Sequence, residues 1–323
     1  MGSTSASRLR VGIALWTVYL VWGSTYLAIR YSVRTIPPFV AAGVRYVAAG
    51  LVLGLIIAAV KGVAELRVTR AQLINCAVVG LLLCMGGNGM VMIAEQTVPS
   101  GLAALIIACV PLFVVILRRV GGEVPTRATV MGVLIGIVGV GVLLLPGTTP
   151  HGVKGIHLAL NVLAPMLWSI GSYFSTKREL PRNPLVASTY EMLAGGVTMV
   201  VVAAAKGDFT HFSFHQVSSS SAWAWLYLVG PGSIIAMSAY VWLLANAPIS
   251  MVATYSFVNP VVAVALGSLI SNEKITAGTL VGGAIIITAV AVVIRAQSRE
   301  SAPPGASHAA EPIAPPAASA QPA

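Results

Sequence analysis

The sequence predicts an all-α integral membrane protein with ten transmembrane helices, arranged as two inverted five-helix repeats. Three observations carry that prediction. The chain of 323 residues is 57% hydrophobic and only 9% charged, with mean hydropathy +0.89. A soluble domain carries about 25% charged residues, so these few charges cannot cover a water-facing surface, and lipid must be the solvent for most of the chain. Apolar runs of about the 17–25 residues that a helix needs to cross a bilayer core recur along the chain. Finally, the second half echoes the first at a nearly constant offset.

The runs centre near residues 11–29, 39–60, 72–93, 101–118, 129–145, 155–174, 185–205, 223–243, 251–270 and 277–295. The first follows Arg8 and Arg10, as a secretory leader would, but it continues for a full span without a small-residue cleavage site and reads as a retained helix. The second carries Arg45, the third Cys76, Cys84 and the stretch GGNGM. The fourth follows Pro99 and contains Pro111. The fifth opens after Glu123 and Thr126, and holds Gly132 and Gly136. In the second half, the sixth run carries Trp168, the seventh Glu191 and the eighth Tyr240. The ninth follows Pro248 and contains Tyr255, Asn259 and Pro260. The tenth opens after Glu273 and Thr276, with Gly278 and Gly282. None shows the ten-residue alternation of a transmembrane β-strand. The chain divides into an N-terminal segment 1–10, a first repeat 11–147, a second repeat 155–295 and an Ala/Pro-rich tail 296–323, whose composition cannot bury a core.

Lys and Arg set the expected orientation. With the N-terminus in the cytoplasm, the inner segments hold thirteen basic residues and the outer ones five, namely Arg30, Arg34, Lys154, Lys206 and Lys274. The positive-inside bias therefore puts both termini in the cytoplasm. The net charge of +10 reads as this membrane bias, and no nucleic-acid partner is expected.

The repeat is specific. Trp22 matches Trp168, Pro38 matches Pro184 and Arg45 falls where Glu191 falls, at an offset of 146; Pro99 and Pro111 match Pro248 and Pro260 at 149; Glu123 and Thr126 match Glu273 and Thr276 at 150. Five helices is an odd number, so the second copy must enter the membrane upside down. Inverted repeats are an architecture of secondary transporters, with the solute site near the midplane. Pro99 and Pro248 stand before their helices, where a missing N–H costs nothing. Pro111 and Pro260 lie inside and free a backbone carbonyl, which in lipid needs protein or a wet cavity. Their recurrence favours a bend that shapes a shared cavity over a simple packing kink.

WGSTYLAIRYSVRTIPPFVAAGVRYVAAG, NGMVMIAEQTVPSGLAALIIACVPLF and YSFVNPVVAVALGSLISNEKIT resemble the EamA domains of the drug/metabolite transporter superfamily, over nearly residues 11–295 as two units. The resemblance implies a ten-helix bundle that exports small metabolites, amino acids or drug-like solutes across the plasma membrane by alternating access. It also implies a cavity lined by the first, third, fourth, sixth, eighth and ninth helices, with the fifth and tenth at the periphery.

Ionisable groups inside a span are costly, so each needs a reason. Arg45 and Glu191 lie at similar depth in inverted helices and are not expected to pair. Each either lines one mouth of the path as a gate or snorkels to the interface. Glu95, whose counterpart is Leu244, breaks the symmetry. A half-desolvated carboxylate there can take up a proton near neutrality, which makes it the leading candidate for proton coupling; a solvated helix end is the alternative. Asn88, Gln96 and Asn259 offer amides to a cavity, with Ser24 in the WGSTY stretch. Trp22, Trp168, Tyr240 and Tyr255 offer faces for apolar or cationic solutes, unless they are belt anchors. The GxxxG spacings fit scaffold packing or a homodimer contact. Glu123 and Glu273 read as N-terminal dipole partners of the helices they precede.

Other classes fare worse. No GxxxxGK[ST] loop or HExxH appears, no cofactor or metal is expected, and His211, His215 and Asp208 read as solvated loop residues. An exchanger of phosphorylated solutes would want several cavity cations, and Arg45 alone lies within a span. A membrane enzyme would need a nucleophile and base at the midplane, and none is visible. A lipid-handling protein stays open as the non-transport alternative.

Overall fold

The computed structural model describes residues 5–145, 151–247, 252 and 254–300, and among these the chain is helical without a strand. The ten helices are α1 (Ser5–Ser32), α2 (Pro38–Lys61), α3 (Arg70–Ala94), α4 (Ser100–Val120), α5 (Arg127–Leu144), α6 (Gly155–Lys177), α7 (Pro184–Ala205), α8 (Ser219–Tyr240, running on to Asn246), α9 (Tyr255–Ser271) and α10 (Ala277–Glu300). Among the described residues, nine are long and apolar enough to span a membrane, and α9, at 17 residues, is the shorter tenth. The expected start of the ninth span at residue 251, Pro248 before it, and the tail beyond residue 300 lie outside the described residues.

Packing follows the inverted repeat. α1 packs on α8 and α9, and α6 packs on α3 and α4; α3 packs on α7, and α8 on α2. Exchanging the halves turns each of these contacts into another. Three pairs, α2 with α7, α4 with α9 and α5 with α10, are their own counterparts and so lie on the pseudo-twofold axis.

Small residues make these pairs close. A Cβ on Gly43 would lie 2.8 Å from the Val200 backbone N, and one on Gly196 would lie 2.8 Å from that of Val47, so α2 and α7 meet nearly backbone to backbone. Of the GxxxG glycines, Gly132 and Gly282 lie between α5 and α10 within the chain. A Cβ on Gly132 would lie 2.6 Å from Val293, and one on Gly282 would lie 2.7 Å from Leu143. The outer surfaces of this pair present Leu134, Ile137, Val138, Leu280 and Val281, as lipid-facing positions should. Three apolar clusters result among the described residues: one of Val40, Tyr46, Met92 and Met199 on α2, α3 and α7, one of Leu105, Leu112, Leu143 and Ile286 on α4, α5 and α10, and a smaller one of Ala14, Val18, Leu243 and Val252.

Two irregularities interrupt the helices. α3 is wound as a π-helix over Leu81–Gly89 and α8 over Leu228–Ile235. The repeat relates these segments, and both are glycine-rich (LLLCMGGNG and LVGPGSII). Wide π turns are rare and gather at functional sites. α4 also breaks at Ala108 and Cys109 into Ser100–Ile107 and Val110–Val120, with Pro111 opening the second piece. The expected symmetry of the prolines does not extend to their geometry, because α9 stays helical through Pro260. Asn259 beside it explains part of the difference: with its amide turned so that the nitrogen faces the Tyr255 and Tyr19 carbonyls, 3.3 Å away each, it donates to both and ties the proline turn to α1.

Candidate solute path and coupling site

Trp22, Tyr26 and Arg30 are four residues apart on α1 and so share one face. That stripe runs from the middle of the bundle toward one membrane face, here the Arg30 face, where the loops around residues 33–37, 95–99, 206–218 and 272–276 gather. The loops around 62–69, 121–126 and 178–183 mark the opposite, Arg118 face.

At the stripe's inner end three rings meet. Trp22 lies 5.1 Å from Tyr240 of α8 and 5.4 Å from Tyr255 of α9, and these two are 5.8 Å apart. All three helices therefore share one aromatic wall. Gly23 lets α9 come this near, because a Cβ there would lie 2.6 Å from Val262. Tyr19 adds a short hydroxyl bond to Thr254. The π segment of α8 completes the wall, since the Trp22 indole N–H donates to the Gly232 carbonyl at 3.2 Å. Ser24 binds the Tyr227 hydroxyl at 2.6 Å and its own helix at the Val21 carbonyl.

Arg45 meets the same π segment from α2. It is 4% exposed; its Nε donates to Ser233 Oγ at 3.0 Å, and its guanidinium lies 4.8 Å from the Tyr46 ring. Ser233 in turn donates to the Leu228 carbonyl five residues back, at 2.9 Å, the spacing a π turn provides. The Arg45 Nη1 finds no hydrogen-bond partner among the described residues. Glu191 of α7 is half-buried and forms no ion pair with Arg45 among those residues. Trp168 sits in a notch of the other π segment, where a Cβ on Gly87 would be 2.6 Å from its ring. Asn88, next in that segment, is half-buried.

At the stripe's outer end lies Glu95, one residue beyond α3. It is fully buried, and neither carboxyl oxygen accepts a hydrogen bond among the described residues. The solvated alternative therefore does not describe it. Burial pushes its carboxyl well above the usual carboxylate range; Glu273 adds to the rise and Arg30 opposes it. Gln96 is not brought into the interior: it is exposed on the α3–α4 turn. One residue of rotation separates the two fates.

Arg30 and Glu273 were not expected at a site. Arg30 Nη1 donates to the Glu95 carbonyl at 2.7 Å and the Val98 carbonyl at 3.2 Å, and its Nε lies 3.8 Å from Glu273. Glu273 does not serve the helix it precedes. Thr276 caps that helix, accepting from Thr279 N at 3.1 Å, while Glu273 accepts from the N–H groups of Ser100 and Gly101 and from the Ser100 hydroxyl at 3.0–3.2 Å. Its repeat mate Glu123 instead pairs with Arg118 at 2.6 Å and Lys177 at 3.8 Å. The four-residue spacing of Trp22, Tyr26 and Arg30 was visible in the sequence; the reach of Glu273 to a different helix was not.

Comparison with known proteins agrees with this architecture. The chain is 36% identical over 282 residues to an "uncharacterized inner membrane transporter", YedA, of Escherichia coli K12, covering 87% of this chain and 89% of that one. It is 22% identical over 284 residues to a "probable amino-acid metabolite efflux pump" of the same organism, covering 86% and 92%. A crystal structure of a protein 20% identical in sequence superposes with a TM-score of 0.60, covering 93% of this chain and 100% of the other, a likeness that bears on fold. The family model described as "EamA-like transporter family" matches twice, over residues 11–145 and 154–295, so this multi-pass membrane protein belongs to the EamA-like transporter family.

Proposed function

We propose that the chain is a proton-coupled secondary carrier that exports small organic solutes across the cell membrane by alternating access between its two repeats. The Arg30 face is then the outer one and both termini are cytoplasmic, as the Lys/Arg bias supports. The aromatic wall of Trp22, Tyr240 and Tyr255 is the solute-contacting surface, with Arg45 and the α8 π turn at its edge. Glu95 is the coupling group.

The observation that carries this reading is the buried carboxyl of Glu95, unpartnered among the described residues, at the end of a polar-aromatic stripe. A carboxyl without donors in a dry site stays neutral until a proton leaves it. Such a group is expensive inside a membrane protein and marks ion pathways. The name of the amino-acid efflux relative supports outward flux of metabolites of that size. A rocking motion of one repeat against the other suits the pseudo-twofold pairs of the fold.

The test is flux in proteoliposomes across a panel of amino acids, quaternary-ammonium compounds and small metabolites, with and without an imposed pH gradient. Gradient-driven flux of one class, lost in Glu95→Gln, is the expected result. Flux indifferent to both gradient and substitution would make the chain a facilitator, and no flux at all would return weight to lipid handling.

A further inference from the structure

We infer that Glu273, Arg30 and the first turn of α4 form the outer latch of the transport cycle. The inference rests on the proton-coupled alternating access proposed above, and it adds the part that moves. The upper piece of α4, Ser100–Ile107, is a short rod set off from the rest of the helix by the turn at Ala108 and Cys109. A few terminal residues that absorb backbone change are what hinges are made of.

One carboxylate fastens that rod. Glu273, on the α9–α10 loop, accepts from both N–H groups at the rod's start and from the Ser100 hydroxyl, where the helix dipole favours an anion. The seat is purpose-shaped. Asn272 turns the loop through φ 52°, and the Glu273 N–H returns to the Gly267 carbonyl at 3.1 Å. A Cβ on Gly267 would lie 2.5 Å from Glu273 Oε2 and 2.8 Å from Ser100 Oγ, so only glycine leaves room for the carboxylate. Arg30 holds the arrangement from α1, touching Glu273 and the carbonyls of Glu95 and Val98. The chemically equivalent Glu123 is engaged with Arg118 and Lys177, so the halves differ in state as well as in sequence.

Glu95 gives the latch its trigger. The charged and titratable groups around it are Arg30 and Tyr26 from α1 and Glu273 from the loop. On the α6 side, His157 Nδ1 bonds the Thr97 hydroxyl, which also accepts from the backbone N–H of Lys154. Protonated, Glu95 leaves Arg30 to Glu273, and the latch is shut. Once ionised, it competes for the same guanidinium, and the α4 rod loses its clamp. A proton arriving from outside would thus close the outer mouth.

The experiment follows the accessibility of Leu102→Cys, a position 3% exposed beneath the latch. It is placed in a full-length chain whose three native cysteines are alanine, reconstituted in liposomes and labelled with a membrane-impermeant maleimide. Rates are normalised to the denatured chain at each pH. In the parent they should rise with pH, and in Glu95→Gln they should stay slow. Glu273→Gln, Gly267→Ala and Ser100→Pro disturb the latch at three unrelated atoms. The last keeps a good first helical residue while deleting both Ser100 donors. Each should label about tenfold faster or more, the change that 1.4 kcal/mol makes in an equilibrium constant, and each should lose the pH dependence. Size-exclusion profiles identify any variant that has not folded, and the remaining two then decide. Parent-like rates and pH profiles in the folded latch variants would overturn the latch. They would do so even if Glu95-dependent flux persisted, and loss of that flux alone would instead overturn the coupling reading.

Discussion

Removing the Ser233 hydroxyl should destabilise the chain, and removing Arg45 at the same time should restore much of the loss. Ser233→Ala deletes the acceptor of the Arg45 Nε bond at 3.0 Å and the donor to the Leu228 carbonyl at 2.9 Å. In a water-soluble protein the charged bond would contribute about 1.5–3 kcal/mol and the neutral one about 1. In membranes the unfolded reference also finds partners, and interhelical hydrogen bonds average about 0.6 kcal/mol. Arg45 tips the balance upward, because it is 4% exposed and its Nη1 already lacks a partner among the described residues. A second orphaned nitrogen on a buried cation has no cheap relief, so a net loss of about 2 kcal/mol is expected. Unfolding in mixed detergent–SDS micelles measures it. The double variant Arg45→Met/Ser233→Ala should lose less than the serine variant alone, since replacing both partners by apolar groups removes the unpaired charge. Purely additive losses would show that the two side chains do not communicate, and the account of the π turn as an arginine seat would fail.

Three further outcomes are expected. Because burial raises the Glu95 carboxyl, the folded chain holds a proton that the unfolded chain has released above about pH 4.3; stability therefore falls as pH rises from there to the folded value, at up to about 1.4 kcal/mol per pH unit. Glu95→Gln removes that dependence and should gain on wild type with increasing pH in the same unfolding assay, whereas parallel curves would mean that Glu95 titrates as a solvated group. Gly87→Ala drives a Cβ to 2.6 Å from the Trp168 ring and should cost about 1–3 kcal/mol, measured by thermal unfolding in detergent, with Trp168→Ala in the same chain recovering most of it. If Trp22 contacts the solute, Trp22→Ala should weaken solute binding by up to about tenfold through loss of one ring contact of about 0.5–1.5 kcal/mol, while Trp22→Phe keeps most of the affinity; equal loss in both would assign the role to the indole N–H on Gly232.

The spans were legible because lipid imposes length and apolarity on every one of them, and the inversion followed from an odd helix count. The irregular turns were not. LLLCMGGNG and LVGPGSII have the hydropathy of ordinary helix, and only their shared glycine content at matched positions hinted at a wider winding. The aromatic wall was half visible: Trp22, Tyr240 and Tyr255 stood out singly, but their meeting depends on Gly23 admitting α9. Glu95 and Gln96 are neighbours of similar polarity, and no pattern in the sequence says which one faces inward. Glu273 was assigned to the helix it precedes, since sequence proximity is the only distance a chain shows. Its actual partner is Ser100, 173 positions away.

The pseudo-twofold packing also bears on stoichiometry. Two identical five-helix units set antiparallel would bury a copy of Glu95 at each membrane face, and both mouths would answer to the same proton concentration on their own side. Joining the units in one polypeptide let the copies diverge: α8, the mate of α3, has no acidic residue between Ser219 and Asn246. On the reading proposed above, the frame is nearly symmetric but Glu95 is not repeated, so a proton would engage it at one mouth only, and the gradients on the two sides would set the direction of net flux.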